Sequence, residues 1–246
     1  MAITTHASCA IVGMTPEQAS YLALQRARAA AIEQATGVHI VSSSLVTDGK
    51  LAADFIKSFS RGYVIKEKVR WLPLAQYQRT PDSPPVPEYG VQLAATVFVP
   101  DKQAPSLGLR ASMNHTLFRS GELCTLTVST RNPARIGVFN FTADGRVMMV
   151  FPSGNREVVT KGKGASISLP TAESGMELTM VTLPDHRQDA EGFFVAALPV
   201  AQKARWLEAF VPGRYMDVTE FFSQYARLSV YSEEVVLSYE VIAREK

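Results

Sequence analysis

The sequence predicts an α+β protein with a compact β-α-β-α-β-β domain over residues 1–100 and a mainly-β, sandwich-like domain over residues 108–246. Two observations support this prediction. An alanine-rich stretch with clear start and stop signals for a helix follows a strand-like segment near the start of the sequence. Seven short strand-like runs, separated by Gly, Pro and Asn, fill most of the second part, with one or two helices expected near the C-terminus. Residues 101–107 are expected to form a linker.

The first elements are a strand over residues 3–13 and a helix over residues 16–36. Thr15 is typical of an N-cap, a proline occupies the first helical position, and Gln18 completes a capping box. Gly37 supplies the left-handed residue at which a helix commonly ends. Six alanines recur at helical spacing, which favours close packing on a sheet over a partner-binding face. They are Ala19, Ala23, Ala27, Ala30, Ala31 and Ala35.

The rest of the first domain alternates strand-like and turn-like segments. Strands are predicted over residues 38–45, 61–71 and 88–100, with a short helix over residues 51–59. The four prolines within residues 78–87 predict an extended, solvated loop, because proline cannot donate a ladder hydrogen bond.

The second domain is predicted to be a sandwich or an open barrel. Ala143, Asp144 and Gly145 lie between two apolar runs and predict a hairpin turn. Helical spacing of apolar residues predicts a helix over residues 217–227, and a strand over residues 235–243 follows. The seven preceding strands are expected over residues 109–113, 123–130, 136–142, 146–151, 166–169, 176–183 and 193–198.

Composition and charge restrict the classes of partner. The chain has 246 residues, of which 46% are hydrophobic, so it can bury a sizeable core. Its net charge is +2, with 10 basic and 8 acidic residues up to position 103 and 15 of each after it. Neither part has the basic excess of a nucleic-acid-binding domain, and we expect no nucleic-acid partner.

The two cysteines, Cys9 and Cys124, lie far apart in strand-like runs. Buried thiols are the favoured interpretation, and an interdomain disulfide is the alternative. His6 lies close to Cys9, but one histidine and one cysteine make at most half a metal site. We expect no metal and no cofactor.

The sequence shows no recognisable catalytic motif. His186 is the only histidine with local carboxylates, but no Gly-x-Ser-x-Gly elbow accompanies it, so a solvated loop is expected. A dyad of His115 with Cys124 would require the fold to join them. The basic turn at residues 160–166 lacks the spacing of a phosphate-binding loop. We therefore predict that the protein is not an enzyme.

No stretch has the apolar length of a membrane-spanning helix, so we expect a soluble protein. Met1 runs almost directly into a strand-like segment, as it would if a start codon had replaced an export signal. We therefore expect a periplasmic or outer-membrane-associated protein whose export signal is not in this sequence.

Three segments of the second part occur in a set order and spacing: residues 118–122, residues 138–147 and Phe151-Pro152. This pattern resembles that of bacterial domains of the domain-of-unknown-function 4384 family. The resemblance covers residues 108–200. It implies a β-rich module that is often appended to envelope or signalling proteins and has no established activity.

Residues 27–37 and 60–64 carry a second resemblance. An Ala-Arg-rich helix ends in Ala-x-Gly, and a Ser-x-Gly turn precedes the next strand. The pattern is similar to the N-terminal domain of the flagellar accessory protein FlgT and of related small outer-membrane lipoproteins. This resemblance implies a bacterial envelope location and a role in assembly.

We therefore predict a non-enzymatic, lipoprotein-like assembly module of the bacterial envelope that acts through protein–protein contacts, as a monomer or a homo-oligomer. Sheet edges and an aromatic-rich region would supply the contacts, although core packing of the same aromatics is also expected. The alternative function is a regulatory module of a signalling or envelope system that binds a ligand or peptide in a cleft of convergent polar groups. The candidate contact residues are Trp206, Phe210, Phe221, Phe222 and Tyr225.

Overall fold

A computed structural model describes residues 2–37, 61–101, 106–171 and 176–244. The chain divides into two compact units, Met1–Val99 and Pro100–Lys246. Strands predominate and helices are few, which confirms the predicted mainly-β α+β class with helices near the C-terminus. The predicted strand over residues 38–45 and the helix over residues 51–59 lie outside the described residues, as does most of the linker.

The first unit contains an antiparallel sheet with one helix packed on it. The elements are β1 (Ala2–Ala10), α1 (Pro16–Thr36), β2 (Tyr63–Trp71), β3 (Ala75–Tyr77) and β4 (Val86–Phe98). Strand order in the sheet is β1-β4-β2, and the short strand β3 also pairs with β4. The helix α1 packs mainly against β1 and β4.

Helix α1 has the ends that its sequence predicts. The hydroxyl of Thr15 accepts a hydrogen bond from the backbone of Gln18 at 3.2 Å, and the Gln18 side chain accepts one from the backbone of Thr15 at 2.9 Å. Gly37 ends the helix with φ at 68°, a left-handed conformation that glycine adopts without strain. Ala19, Ala23, Ala27 and Ala31 are fully buried, whereas Ala30 and Ala35 are half-buried.

A buried ion pair that the sequence analysis did not predict joins α1 to β2. The guanidinium of Arg28 donates to both carboxylate oxygens of Glu67, at 2.9 and 2.5 Å. Both side chains are largely buried. Removing either partner would be costly, because it would leave an uncompensated buried charge.

The proline-rich loop is shorter than predicted. Residues 75–77 pair with residues 86–88, so a hairpin connection spans residues 78–85. Pro87 lies within β4, opposite Gln76, and its carbonyl accepts a hydrogen bond from Ile11 at 2.9 Å. The prediction failed here because proline lacks a backbone N–H but keeps its carbonyl. The carbonyl alone is enough for Pro87 to take part in the strand pairing.

The second unit has eleven described strands and two helices. Of these, the strands Leu117–Arg119 and Tyr215–Asp217 were not predicted, and the single strand expected over residues 123–130 is two strands in different sheets. The strands are β5 (Arg110–Met113), β6 (Leu117–Arg119), β7 (Glu122–Cys124), β8 (Leu126–Ser129), β9 (Ala134–Phe141), β10 (Arg146–Phe151), β11 (Ser166–Leu169), β12 (Leu178–Met180), β13 (Gln188–Pro199), β14 (Tyr215–Asp217) and β15 (Glu233–Ile242). The helices are α2 (Trp206–Ala209) and α3 (Val218–Ser229).

A six-stranded sheet, ordered β14-β10-β9-β13-β15-β6, is the centre of the second unit. A three-stranded sheet, β11-β8-β5, shares one hydrophobic core with it, to which Leu126 and Val128 contribute from one sheet and Val138 and Val195 from the other. The strands β7 and β12 form a separate pair. The predicted hairpin joins β9 to β10, with Gly145 at a φ of 79°.

The opposite face of the central sheet packs against an aromatic cluster from α2 and α3. The ring of Phe139 lies 4.8 Å from that of Phe210 and 4.9 Å from that of Phe221, measured between ring centroids. The five candidate contact residues are therefore core residues and not a surface patch, which corrects the predicted interaction site. They are buried because β9 and β13 are covered on both faces. These residues are Trp206, Phe210, Phe221, Phe222 and Tyr225.

Candidate ligand-binding site

A cavity of about 460 Å³ lies on the face of the six-stranded sheet that shares a core with the three-stranded sheet. Adjacent strands each contribute one polar residue to it: Asn140 from β9, Glu191 from β13 and Tyr239 from β15. Strand pairing brings them together, because Glu191 is opposite Tyr239 and Phe193 is opposite Asn140. Alternate residues of a strand share a face, so all three side chains lie on the side of the sheet that holds the hydrophobic core.

The three polar side chains form one hydrogen-bonded group. The Tyr239 hydroxyl oxygen lies 2.7 Å from Oδ1 of Asn140 and 2.7 Å from Oε2 of Glu191. The backbone N–H of Ala143 donates to Oε1 of Glu191 at 3.4 Å. Since a phenol has one proton, it can donate to only one of its two neighbours.

Two proton arrangements satisfy this geometry. In the first, a neutral Glu191 donates to the Tyr239 oxygen, and Tyr239 donates to Asn140. In the second, an ionised Glu191 accepts from Tyr239, and the Asn140 amide turns so that its NH₂ group donates to the phenol oxygen. The two charge states of the carboxyl group therefore differ only in proton positions and in the exchange of the Asn140 amide oxygen and nitrogen.

Burial raises the pKa of the Glu191 carboxyl group towards neutral pH, so both charge states are accessible there. Loss of solvation raises its pKa from 4.5 to about 7, the charge of Asp189 adds to the rise, and the hydrogen bonds from Tyr239 and Ala143 oppose it. The pKa of Tyr239 is raised well above 10, by burial first and by Glu191 second. At neutral pH the phenol is therefore a hydrogen-bonding group, whereas Glu191 can gain or lose its proton.

The β9–β10 turn places a charged group beside the cavity. The carboxylate of Asp144 accepts from Nε of Arg146 at 2.6 Å and from the hydroxyl of Thr142 at 2.6 Å. The guanidinium carbon of Arg146 lies 4.6 Å from the centroid of the Tyr215 ring, a cation–π contact. Arg146 is thus paired with an acid and stacked on a ring.

The walls of the cavity are largely apolar. Met148, Met180 and Phe193 line it together with Leu178 and Val181. Methionine side chains are unbranched and polarisable, so they adapt to ligands of different shape. A concave apolar site with a few convergent polar groups is the usual form of a small-molecule site.

One side of the cavity is formed by residues 176–184, and the buried carboxylate of Asp189 holds this segment. Oδ2 of Asp189 accepts from the backbone of Leu183 at 2.6 Å, and Oδ1 lies 2.6 Å from Nδ1 of His186. His186 was expected in a solvated loop. It is instead largely buried against Asp189, because β13 extends five residues further towards the N-terminus than predicted.

The other sequence candidates do not join this group. Cys124 is buried and its pKa is raised to about 11 by loss of solvation, so little thiolate forms at neutral pH. The ring of His115 packs on Phe118 at 5.9 Å. Among the residues that the structure describes, no three His, Cys, Asp or Glu side chains are grouped as metal ligands.

The sequence analysis missed Asn140, Glu191 and Tyr239, because they lie on three different strands and no motif in the sequence links them. A signal was present in the alternation of β13. Glu191 lies on the same face of the strand as Phe193, Val195 and Ala197, because alternate residues share a face. With those three residues in the core, the Glu191 carboxyl group also had to point inward.

An open groove lies elsewhere on the second unit, beside β6 at the end of the six-stranded sheet. Leu117 and Leu123 line this groove and are about half exposed. Arg119 and Arg244 also line it, together with Glu122.

Comparison with known proteins found no family model and no curated protein that matches this chain. Within the part of the chain that the structure describes, no helix is both long enough and apolar enough to cross a membrane.

Proposed function

We propose that the protein is a non-enzymatic binding protein whose second unit holds a small ligand in the Glu191 cavity. The observation that carries this proposal is the group formed by Glu191, Tyr239 and Asn140 in a largely apolar cavity of about 460 Å³. A cavity of that volume accommodates a small organic molecule. The buried polar group would fix its orientation, and the methionine walls would adapt to its shape.

Binding is favoured over catalysis because neither Tyr239 nor Cys124 loses its proton readily. Tyr239, with its pKa well above 10, stays protonated, and Cys124, with a pKa of about 11, is a poor nucleophile. Glu191 already shares hydrogen bonds with Tyr239 and Ala143, an arrangement suited to holding a ligand group.

The test is a ligand screen by thermal shift, with native mass spectrometry of the purified protein to detect co-purifying molecules. Thr182→Trp places a bulky ring in the cavity lining, and Thr125→Trp makes the same change at an exposed position outside the lining. We expect ligands that stabilise the wild type and Thr125→Trp but not Thr182→Trp. Equal stabilisation of all three proteins would contradict a ligand in this cavity.

The envelope setting is part of the proposal. It is supported by the residues that resemble domain-of-unknown-function 4384 modules and the N-terminal domain of FlgT-like proteins. In that setting the protein would be periplasmic or associated with the outer membrane, and ligand binding would regulate an envelope or signalling partner.

An assembly role is the second candidate, and the groove beside β6 favours it. Leu117 and Leu123 would contact apolar side chains of a partner, and Arg119 and Arg244 would attract acidic ones. The occupant that fits is an extended, acidic segment of an envelope protein, laid beside the end strand of the sheet.

The test of this second candidate is a crosslinking pull-down from envelope extracts with wild type, Leu117→Asp and the control Thr125→Asp. We expect Leu117→Asp to lose a crosslinked envelope protein that the other two retain. The same partners recovered with all three would exclude the groove.

A further inference from the structure

We propose that the Glu191 cavity takes a small organic cation, a primary ammonium group on an apolar body, and that Glu191 pairs with its charge. This inference rests on the proposed function, because it names the ligand class of the same cavity. It follows from the charges that line the cavity, the hydrogen bonds of Glu191 and the rings around it.

The charges that line the cavity favour a cation. Among the described lining residues the acids are Glu177 and Glu191, and the one base is Arg146. The Arg146 charge is paired with Asp144 at 2.6 Å, so no described residue of the lining offers Glu191 an unpaired cation. Several titratable or charged groups surround Glu191 and its partners. They are Tyr239 on β15, Arg146 on β10, Asp189 on the same strand as Glu191, Glu177 in the segment 176–184, His186 just after that segment, and Cys124 on β7.

The hydrogen-bonded group of Glu191, Tyr239 and Asn140 can rearrange its protons when a cation binds. When an ammonium group approaches, the neutral Glu191 gives up its proton to solvent, and the resulting carboxylate accepts from the ammonium group and from Tyr239. Asn140 then turns its amide to donate to the phenol oxygen. No bond other than O–H is broken, and the ligand keeps its own protons.

Aromatic rings complete the environment for a cation. Tyr215, Phe193 and Tyr239 all line the cavity. The Arg146 guanidinium makes a cation–π contact with the Tyr215 ring. A ligand cation would make the same kind of contact with a ring of the cavity. The apolar body of the ligand would then lie along Met148 and Met180.

The experiment is calorimetric titration of the full chain with three probes of similar size: 2-phenylethylamine, 2-phenylethanol and 3-phenylpropanoate. At pH 8 we expect the amine to bind roughly ten- to hundredfold more tightly than the alcohol, the range that a hydrogen bond to a charged group supplies. Its affinity should fall about tenfold per pH unit below pH 7, where Glu191 is protonated. At pH 6, titrations in two buffers of different ionisation enthalpy should register the release of about one proton.

The variant Glu191→Gln should lose the amine preference and the pH dependence while still binding the alcohol, and Glu208→Gln, an exposed position, should behave as the wild type. If the alcohol or the propanoate binds as tightly as the amine, the cation inference is wrong and the ligand-binding function stands. If none of the three probes binds to a folded protein, the cation inference is wrong as well, and the ligand screen decides separately on the binding function.

Discussion

At the scale of single residues, Glu191 is a carboxyl group buried in the core of the second unit. It lies inside the sheet core, shares a proton network with Tyr239, and has a pKa of about 7. An unfolded chain would ionise it near pH 4.5. The folded protein therefore binds more protons than the unfolded chain between these two pH values, and the carboxyl group destabilises the fold progressively as pH rises through that window.

Glu191→Gln should remove this pH dependence. The stability difference between wild type and variant is expected to change by at most about 1.4 kcal/mol per pH unit between pH 4.5 and 7, and to level off above pH 7. Urea unfolding at half-unit pH intervals measures it. Glu208→Gln is the control, and parallel stability curves for Glu191→Gln and wild type would contradict the assigned pKa.

A second residue-scale constraint is the close approach of Trp206 to the central sheet. A Cβ atom at Gly137 would lie 2.9 Å from Cδ2 of the Trp206 ring. The ring is fixed there because its Nε1 donates to the carbonyl of Arg135 at 3.0 Å. Glycine is needed at this position for space, not for an unusual backbone angle.

Gly137→Ala should therefore destabilise the protein by about 1–3 kcal/mol through overpacking. Gly154→Ala is the matched control, since a Cβ atom there meets no described atom within 4 Å. Chemical denaturation of both variants measures the difference. Equal stabilities would show that the Trp206 ring can move away at little cost.

At the scale of elements, the strands β9 and β13 determine how the second unit is layered. Along β13, Phe193, Val195 and Ala197 join the core shared with the three-stranded sheet, and Phe194 packs on the other side against Tyr225, 5.0 Å away between ring centroids. A strand buried on both faces needs a continuous apolar run, and both strands have one. Helix α3 therefore serves as a core layer, which is why its aromatic side chains are not free to contact a partner.

Phe222→Ala should lower the free energy of unfolding by about 3–5 kcal/mol, the usual cost of deleting a buried aromatic ring. Near-UV circular dichroism with thermal unfolding measures both the loss of ring packing and the loss of stability. Tyr215→Ala, at a half-exposed ring in β14, is the comparison, and its effect should be smaller. A fully stable Phe222→Ala would restore the surface interpretation of this region.

At the scale of the whole molecule, the chain consists of two units, Met1–Val99 and Pro100–Lys246, each with its own sheet and its own helix layer. The cavity and the groove beside β6 are both lined by residues of the second unit alone. Ligand binding and the partner contact proposed for the groove therefore belong to the second unit, whereas no site is proposed in the first.

Residues 1–99 and 100–246, produced as separate chains, should each unfold cooperatively, because each has its own buried core. Ligands found for the full chain should bind residues 100–246 with unchanged affinity. Calorimetric unfolding and titration of the two fragments measure both expectations. A fragment 100–246 that folds but does not bind would contradict the placement of the site.

The sequence by itself determined the features that depend on neighbours along the chain. The capping box at Thr15 and Gln18, the stop at Gly37 and the hairpin at Asp144-Gly145 are local, so their residues alone identify them. Tertiary structure decided which strands pair and which faces are covered. Only that pairing brings Asn140, Glu191 and Tyr239, separated by as many as 99 residues, into one cavity. Only the covering of both sheet faces made Trp206 and Phe222 core residues, because burial depends on contacts distant in the chain.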